Sequence, residues 1–147
     1  MLSKRTIFEC LPRVPFEDRR QLPKRERGVY FLITKQKLVY IGASDCIYSR
    51  LTSTFTTDHP VGRYLGKLVS KELAFGHINK WSNSQEKALY NSTFDKHWKD
   101  FKNSTDVAYL LLPVTRADLI KLEGMLIEQH QPEINCKHTV RAKKLVG

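Results

Sequence analysis

Apolar and polar positions change their spacing several times along this chain, and each change marks an element. Val29 to Thr34 is an apolar run rich in β-formers, Leu38 to Ile41 is a second, and Lys35-Gln36 between them is polar. The pattern predicts an antiparallel hairpin. The turn has no Asn-Gly pair, so its type stays open. Ile47, Leu51 and Phe55 recur every fourth residue, which predicts a helix capped by Ser44 or Asp45 and stopped by Asp58-His59-Pro60. Tyr64, Leu65, Leu68 and Val69 predict a second helix over 61–73, and Leu89, Tyr90, Phe94, Trp98 and Phe101 a third over 84–101. Residues 75–81 read as a short strand, and 107–112 as a buried strand stopped by Pro113. The best-defined helix runs from Thr115 to His130. Thr115 is its N-cap, Asp118 stands at the capping-box position, and Pro132 follows its end.

The flanks differ from this middle. Residues 1–26 are charged and punctuated by Pro12, Pro15 and Pro23, which reads as an irregular basic arm. Residues 137–147 form a basic tail. The span 27–136 between them has the size of one small domain, and a hydrophobic share of 41% gives it enough material for one core.

One polar position inside the last helix needs a physical reason. At about 100° per residue, Leu119, Ile120, Leu122, Leu126 and Ile127 share one side, and Glu123 falls near the middle of that stripe. A carboxylate taken out of water costs several kcal/mol unless a cation, a hydrogen-bond network or an opening to solvent compensates it. Two arrangements do so: a divalent metal at a cleft, or an Arg or Lys partner in a structural ion pair. Helix geometry alone does not separate them. His130, on the same side two turns on, fits a C-terminal capping or packing role better than a ligand role.

Charge narrows the partners. A net charge of +10 and a pI of about 9.7 point to a polyanion, whether DNA, RNA or an anionic membrane, with nucleic acid favoured because membrane signals are absent. No apolar run approaches the ~20 residues of a membrane-spanning helix, and the opening Met1-Leu2-Ser3-Lys4-Arg5 lacks the apolar segment of a secretory leader. Cys10, Cys46 and Cys136 are odd in number and include no CxxC pair. That argues against a disulfide framework or a structural zinc and fits a reducing, cytoplasmic (intracellular) setting.

Gly28-Val29-Tyr30, then Tyr40-Ile41-Gly42, then Ser49-Arg50-Leu51, then Glu123 and Asn135 follow one another in an order that resembles the GIY-YIG nuclease family. Each short motif alone is weak; five in order, on fitting elements, are specific. The resemblance covers residues 27–136. It implies an α/β (α+β) fold with a small three-stranded antiparallel sheet flanked by helices. It also implies an endonuclease that hydrolyses DNA phosphodiester bonds with Mg²⁺ (or Mn²⁺). By resemblance Glu123 anchors the metal and Arg50 contacts the scissile phosphate. Tyr30 and Tyr40 line the site, Tyr30 orienting or deprotonating the attacking water, and Asn135 braces the site. The two tyrosines share a sheet face only if the turn sets the right register. Gly42 reads as the glycine that ends a strand and permits close approach.

Two departures stand against the family pattern. Ala43 occupies a position where many members carry lysine, and Thr54 one where many carry Tyr or His. The general base is therefore open, with His59 as a replacement base and Lys67 as a replacement cation, each weighed against a solvated side chain. A catalytically weak or inactive nucleic-acid-binding module is the competing reading. Lys137, Arg141, Lys143 and Lys144 are expected to hold DNA backbone phosphates without sequence choice. Cutting both strands with one site calls for a homodimer on DNA or two sequential nicks.

Overall fold

The computed structural model describes residues 9–53, 55–73 and 83–137. Lys137's side chain, Arg141, Lys143, Lys144, Thr54 and the strand expected over 75–81 lie outside the described residues. Four antiparallel strands form the sheet: β1 (Arg13–Pro15), β2 (Gly28–Thr34), β3 (Lys37–Ser44) and β4 (Thr105–Leu111), in the order β1-β4-β2-β3. Around it lie α1 (Ile47–Thr52), α2 (Phe55–Asp58), α3 (Pro60–Leu73), α4 (Asn83–Ser104), α5 (Arg116–His130) and α6 (Glu133–Lys137).

The fold is thus mixed α and β as expected, but the sheet has four strands rather than three. The extra one, β1, comes from the proline-punctuated arm and pairs Arg13, Val14 and Pro15 with Ala108, Val107 and Asp106. A strand this short gives no readable alternation. Its proline is tolerated because β1 lies at the sheet edge, where one side of the backbone needs no ladder bond. A 3-10 helix follows (Phe16–Gln21), and Phe16 is fully buried against Phe55, Trp98 and Phe101 at ring distances of 5.0, 5.6 and 5.2 Å. Part of the arm is therefore built into the core.

The central hairpin turns through Lys35 and Gln36, both left-handed at φ 51° and 66°. That is the primed turn that matches strand twist, here made without glycine. Beyond it lies an irregularity that decides the register. Thr34 pairs with Lys37 and Ile33 with Leu38, but Leu32 pairs with Tyr40, so Val39 is bulged out of the ladder. Without the bulge Tyr40 would oppose Phe31 and point to the other face from Tyr30. With it, Val39, Tyr40, Tyr30 and Leu32 pack into one cluster, while Leu38, Ile41, Phe31 and Ile33 pack into the other.

The helix expected to run from Ile47 through Phe55 is broken. Ser53 is extended (φ −100°, ψ 127°), and Phe55 opens a separate turn, α2. Neither Ser44 nor Asp45 is the cap of α1; that position is Cys46, while Ser44 Oγ accepts from the Cys46 amide at 3.0 Å. Thr115 does cap α5, its Oγ1 accepting from the Asp118 amide at 3.2 Å. Gln131 ends that helix in the left-handed conformation.

Candidate active site

Gly42 explains why Tyr30 sits where it does. Tyr30 and Gly42 are direct partners across the hairpin, inside β3 rather than at its end, and a Cβ on Gly42 would run into Tyr30 Cζ and Oη. The ring lies over the bare glycine. Gly28 answers a similar constraint, since a Cβ there would run into the Leu110 carbonyl. Tyr40, diagonal to Tyr30 on the same face, has its ring centroid 6.0 Å away.

His59 completes this cluster and is 0% exposed. The sequence Asp58-His59-Pro60, which reads as a helix stop, is in fact a helix start. Pro60 occupies the first position of α3, where its missing N–H is no loss. His59 Nδ1 accepts from the Val61 amide at 3.1 Å, and the His59 carbonyl accepts from Gly62 at 2.9 Å. Because Nδ1 is an acceptor, the neutral ring carries its hydrogen on Nε2. That hydrogen points at Tyr30 Oη, 2.7 Å away, so His59 donates to the phenol. Burial, followed by the charges of Arg50 and Arg63, lowers the His59 pKa to about 2. The geometry agrees, because a proton on Nδ1 would face the Val61 N–H. His59 is neither a solvated loop histidine nor an acceptor for the Tyr30 proton.

Burial is also the main force on the two phenols. It raises Tyr30 well above the ordinary phenol range, and it raises Tyr40 to about 12, with Glu123 pushing in the same direction. Arg50 opposes both rises through its charge, and at Tyr30 also through a hydrogen bond. A hydrogen bond from Tyr30 holds Tyr40 down as well. Arg50, Tyr30, Tyr40, His59 and Glu123 thus form one electrostatic unit.

Only part of that unit reaches solvent. A cleft of about 470 Å³ opens between the end of β3, α1 and α5, with Arg50 and Glu123 in its wall beside Ala43, Asp45, Cys46 and Arg116. Tyr30 and Tyr40 lie behind this wall. Glu123 is half-buried where α5 turns from sheet to cleft, and Ile120, expected in the apolar stripe, is 46% exposed there. The stripe is narrower than its residue types imply. Asp45 ties the rim together, 3.0 Å from Arg27 and 3.9 Å from Arg116.

Asn135 acts from behind. β3 is an edge strand, so the outward peptide groups of Ile41 have no strand partner. Asn135 Oδ1 accepts from the Ile41 amide at 2.7 Å, and its Nδ2 donates to the Ile41 carbonyl at 2.8 Å. This side chain substitutes for a missing strand between Tyr40 and Gly42. Lys67 is not brought to the cleft; it lines a separate groove between α3 and α4. Two cationic residues escaped the sequence reading. Arg116 stands two helical turns before Glu123, a spacing that puts both on one face. Arg63 follows His59 by one turn of α3 and acts electrostatically on both His59 and Tyr40.

The donor set bears on a metal. Glu123 and Asp45 are the carboxylates of the cleft wall, and among the described residues no three His, Cys, Asp or Glu side chains gather into a closed cage. An open cleft with few carboxylates suits a hard cation that keeps most of its shell as water and substrate oxygens. It does not suit a structural zinc. Among the described residues no helix is long and apolar enough to cross a membrane.

Among solved structures the chain is similar to the GIY-YIG N-terminal endonuclease domain of UvrC from Thermotoga maritima, in a point mutant bound to its catalytic divalent cation. The likeness covers 81% of this chain and 92% of that one, at a TM-score of 0.45 and 16% identity. No protein-family model and no curated protein matches the chain.

Proposed function

We propose that this protein is a divalent-metal-dependent endonuclease that hydrolyses DNA phosphodiester bonds at the cleft between β3, α1 and α5. One observation carries the reading. Arg50 and Glu123, far apart in the sequence, meet in the wall of one cleft, and Tyr30 and Tyr40 lie behind them in the same electrostatic unit.

Glu123 holds the cation, with Asp45 as the neighbouring carboxylate. When bound, Mg²⁺ or Mn²⁺ supplies Lewis acidity for charge developing on the phosphate and the leaving oxygen. Arg50 takes the scissile phosphate, for which the guanidinium fork is suited in shape and charge. Tyr30 handles the attacking water. In the free protein its oxygen already accepts from His59 and Arg50. A phosphate that draws Arg50 toward the cleft frees one lone pair of Tyr30 for the attacking water. His59 stays behind the ring as a fixed donor to the Tyr30 oxygen. Burial holds both phenols protonated and the Glu123 charge adds to it, so a cation on Glu123 would ease the smaller of those two effects. Asn135 keeps the strand carrying Tyr40 in place, and the basic tail holds backbone phosphates.

The alternative, a nucleic-acid-binding module that does not cut, is favoured by one feature: Ala43 leaves the cleft wall without a cation where the family pattern has lysine. Cleavage assays on supercoiled, linear, branched and single-stranded DNA with Mg²⁺, Mn²⁺ or EDTA decide between them. Cutting that needs metal and falls at least a hundredfold in Glu123→Gln, with DNA binding retained, is the expected result. Binding without cutting on every substrate gives the answer to the alternative.

A further inference from the structure

A second opening lies away from the cleft, between α3 and α4, and none of the roles above uses it. Arg63 and Lys67 are exposed one helical turn apart on α3, and Tyr90 and Phe94 are half-buried one turn apart on α4. The two rings are stacked with centroids 6.2 Å apart. Gly66 floors the groove, where a Cβ would come within 2.8 Å of the Tyr90 hydroxyl. The opening measures about 690 Å³, and none of the described side chains lining it is acidic.

We propose that this groove binds an unpaired nucleotide segment of the substrate, with Arg63 and Lys67 on its phosphates and a base against the Tyr90–Phe94 edge. The chemistry excludes the other polyanion forms. A lone phosphate or sulfate needs cations but gains nothing from aromatic rings. A paired duplex keeps its base faces stacked inside, so only an unpaired strand offers a face and a phosphate together. Placement ties the groove to the cleft. Arg63 sits in the wall of the groove and also acts electrostatically on Tyr40 and His59, which lie behind the cleft, so one cation is close enough to act on both places. The inference rests on the nuclease reading and sharpens it. The substrate is DNA with single-stranded character beside the scissile bond: a flap, an overhang or a branch.

The test measures binding rather than cutting. The full chain in EDTA is titrated with a fluorescent blunt duplex, the same duplex carrying an oligothymidylate extension, and oligothymidylate alone. Wild type should bind the extended duplex about tenfold more tightly than the blunt one. Tyr90→Leu keeps apolar volume but removes the π face, and it should erase that preference while leaving blunt-duplex affinity unchanged. Lys67→Ala, at an exposed position with little bearing on folding, should weaken oligothymidylate binding and reduce its salt dependence. Equal affinity of wild type for extended and blunt duplexes overturns the groove alone. An unchanged preference in both variants does the same. Failure to bind any DNA overturns the nuclease reading with it.

Discussion

The two faces of the sheet carry different kinds of core. On the face toward α5 the buried set is Val29, Phe31, Ile33, Ile41, Ala108, Leu119 and Ile127, and none of these carries a titratable group. On the face toward α1 to α4 the buried set includes Tyr30 and Tyr40, with His59 held against them. One face is sealed by shape alone. The other must also satisfy three polar heads, and it does so with a helix N-terminus, an arginine and each other. The strands are shared, so the contrast arises from alternation of side chains and one bulge. The apolar face holds none of the tyrosine and histidine heads, so changes of stability made there should be separable by mutation from the chemistry.

The sharpest separation sets Ile33→Ala against Tyr40→Phe. Ile33 is 4% exposed near the turn end of the sheet, on the apolar face. Its truncation should cost about 2–5 kcal/mol of stability and leave the specific activity of the folded protein unchanged. Tyr40→Phe removes one oxygen from the polar face. It should change stability by no more than about 1 kcal/mol while cleavage falls roughly a hundredfold. Chemical denaturation and single-turnover cleavage on the same samples read both quantities. Parallel losses in both variants would dissolve the distinction between the faces.

Gly42→Ala couples the two quantities at one position. The added methyl must displace the Tyr30 ring, so about 1–3 kcal/mol of stability should go together with cleavage. The Gly42→Ala/Tyr30→Ala double variant, with space reopened, should recover part of the stability and none of the activity. No recovery would show that the strain lies in the backbone and not against the ring.

Much of this contrast was readable from residue types, and what was not has identifiable causes. The hairpin, the Glu123 helix with its Thr115 cap, and the ordered Tyr30, Tyr40, Arg50, Glu123 and Asn135 series all carry local or motif signals. The bulge does not. Leu38, Val39, Tyr40 and Ile41 are all apolar, so a slip of one residue leaves no trace in the pattern. β1 is too short to alternate. His59 was obscured because a proline after a polar residue marks a helix start and a helix stop equally well; only Val61 folding back onto Nδ1 distinguishes them. Ile120 is apolar yet exposed, because the cleft interrupts the face that its helix buries.

His59 also leaves a pH signature on stability. In the unfolded chain it takes a proton near 6.5, whereas in the fold it does so only at about 2, burial being the leading cause. Between those values the unfolded state binds the extra proton. Stability is therefore fully present above about pH 6.5 and falls as the pH drops below it, by about 1.4 kcal/mol per pH unit at the full slope. His59→Asn retains a capping side chain without the titration. Denaturant midpoints taken at descending pH should fall more steeply for wild type by that amount. Matching slopes would mean that the imidazole is not held neutral in the fold.

The smallest effect concerns the turn that precedes the bulge. Lys35 and Gln36 hold φ of 51° and 66°, where a side chain's Cβ crowds the following carbonyl and glycine does not. Replacing the pair by Asn-Gly (Lys35→Asn, Gln36→Gly) should stabilise the protein by roughly 1 kcal/mol. The Thr34–Lys37 and Ile33–Leu38 pairs lie between this turn and Val39, so the register of Tyr30 and Tyr40 should stay as it is and cleavage should not change. A rise in melting temperature with unaltered cleavage fits a turn that only closes the hairpin. A stabilised variant that cuts less would place the choice of bulge in the turn itself, and the left-handed strain at Lys35 and Gln36 would then belong to the site.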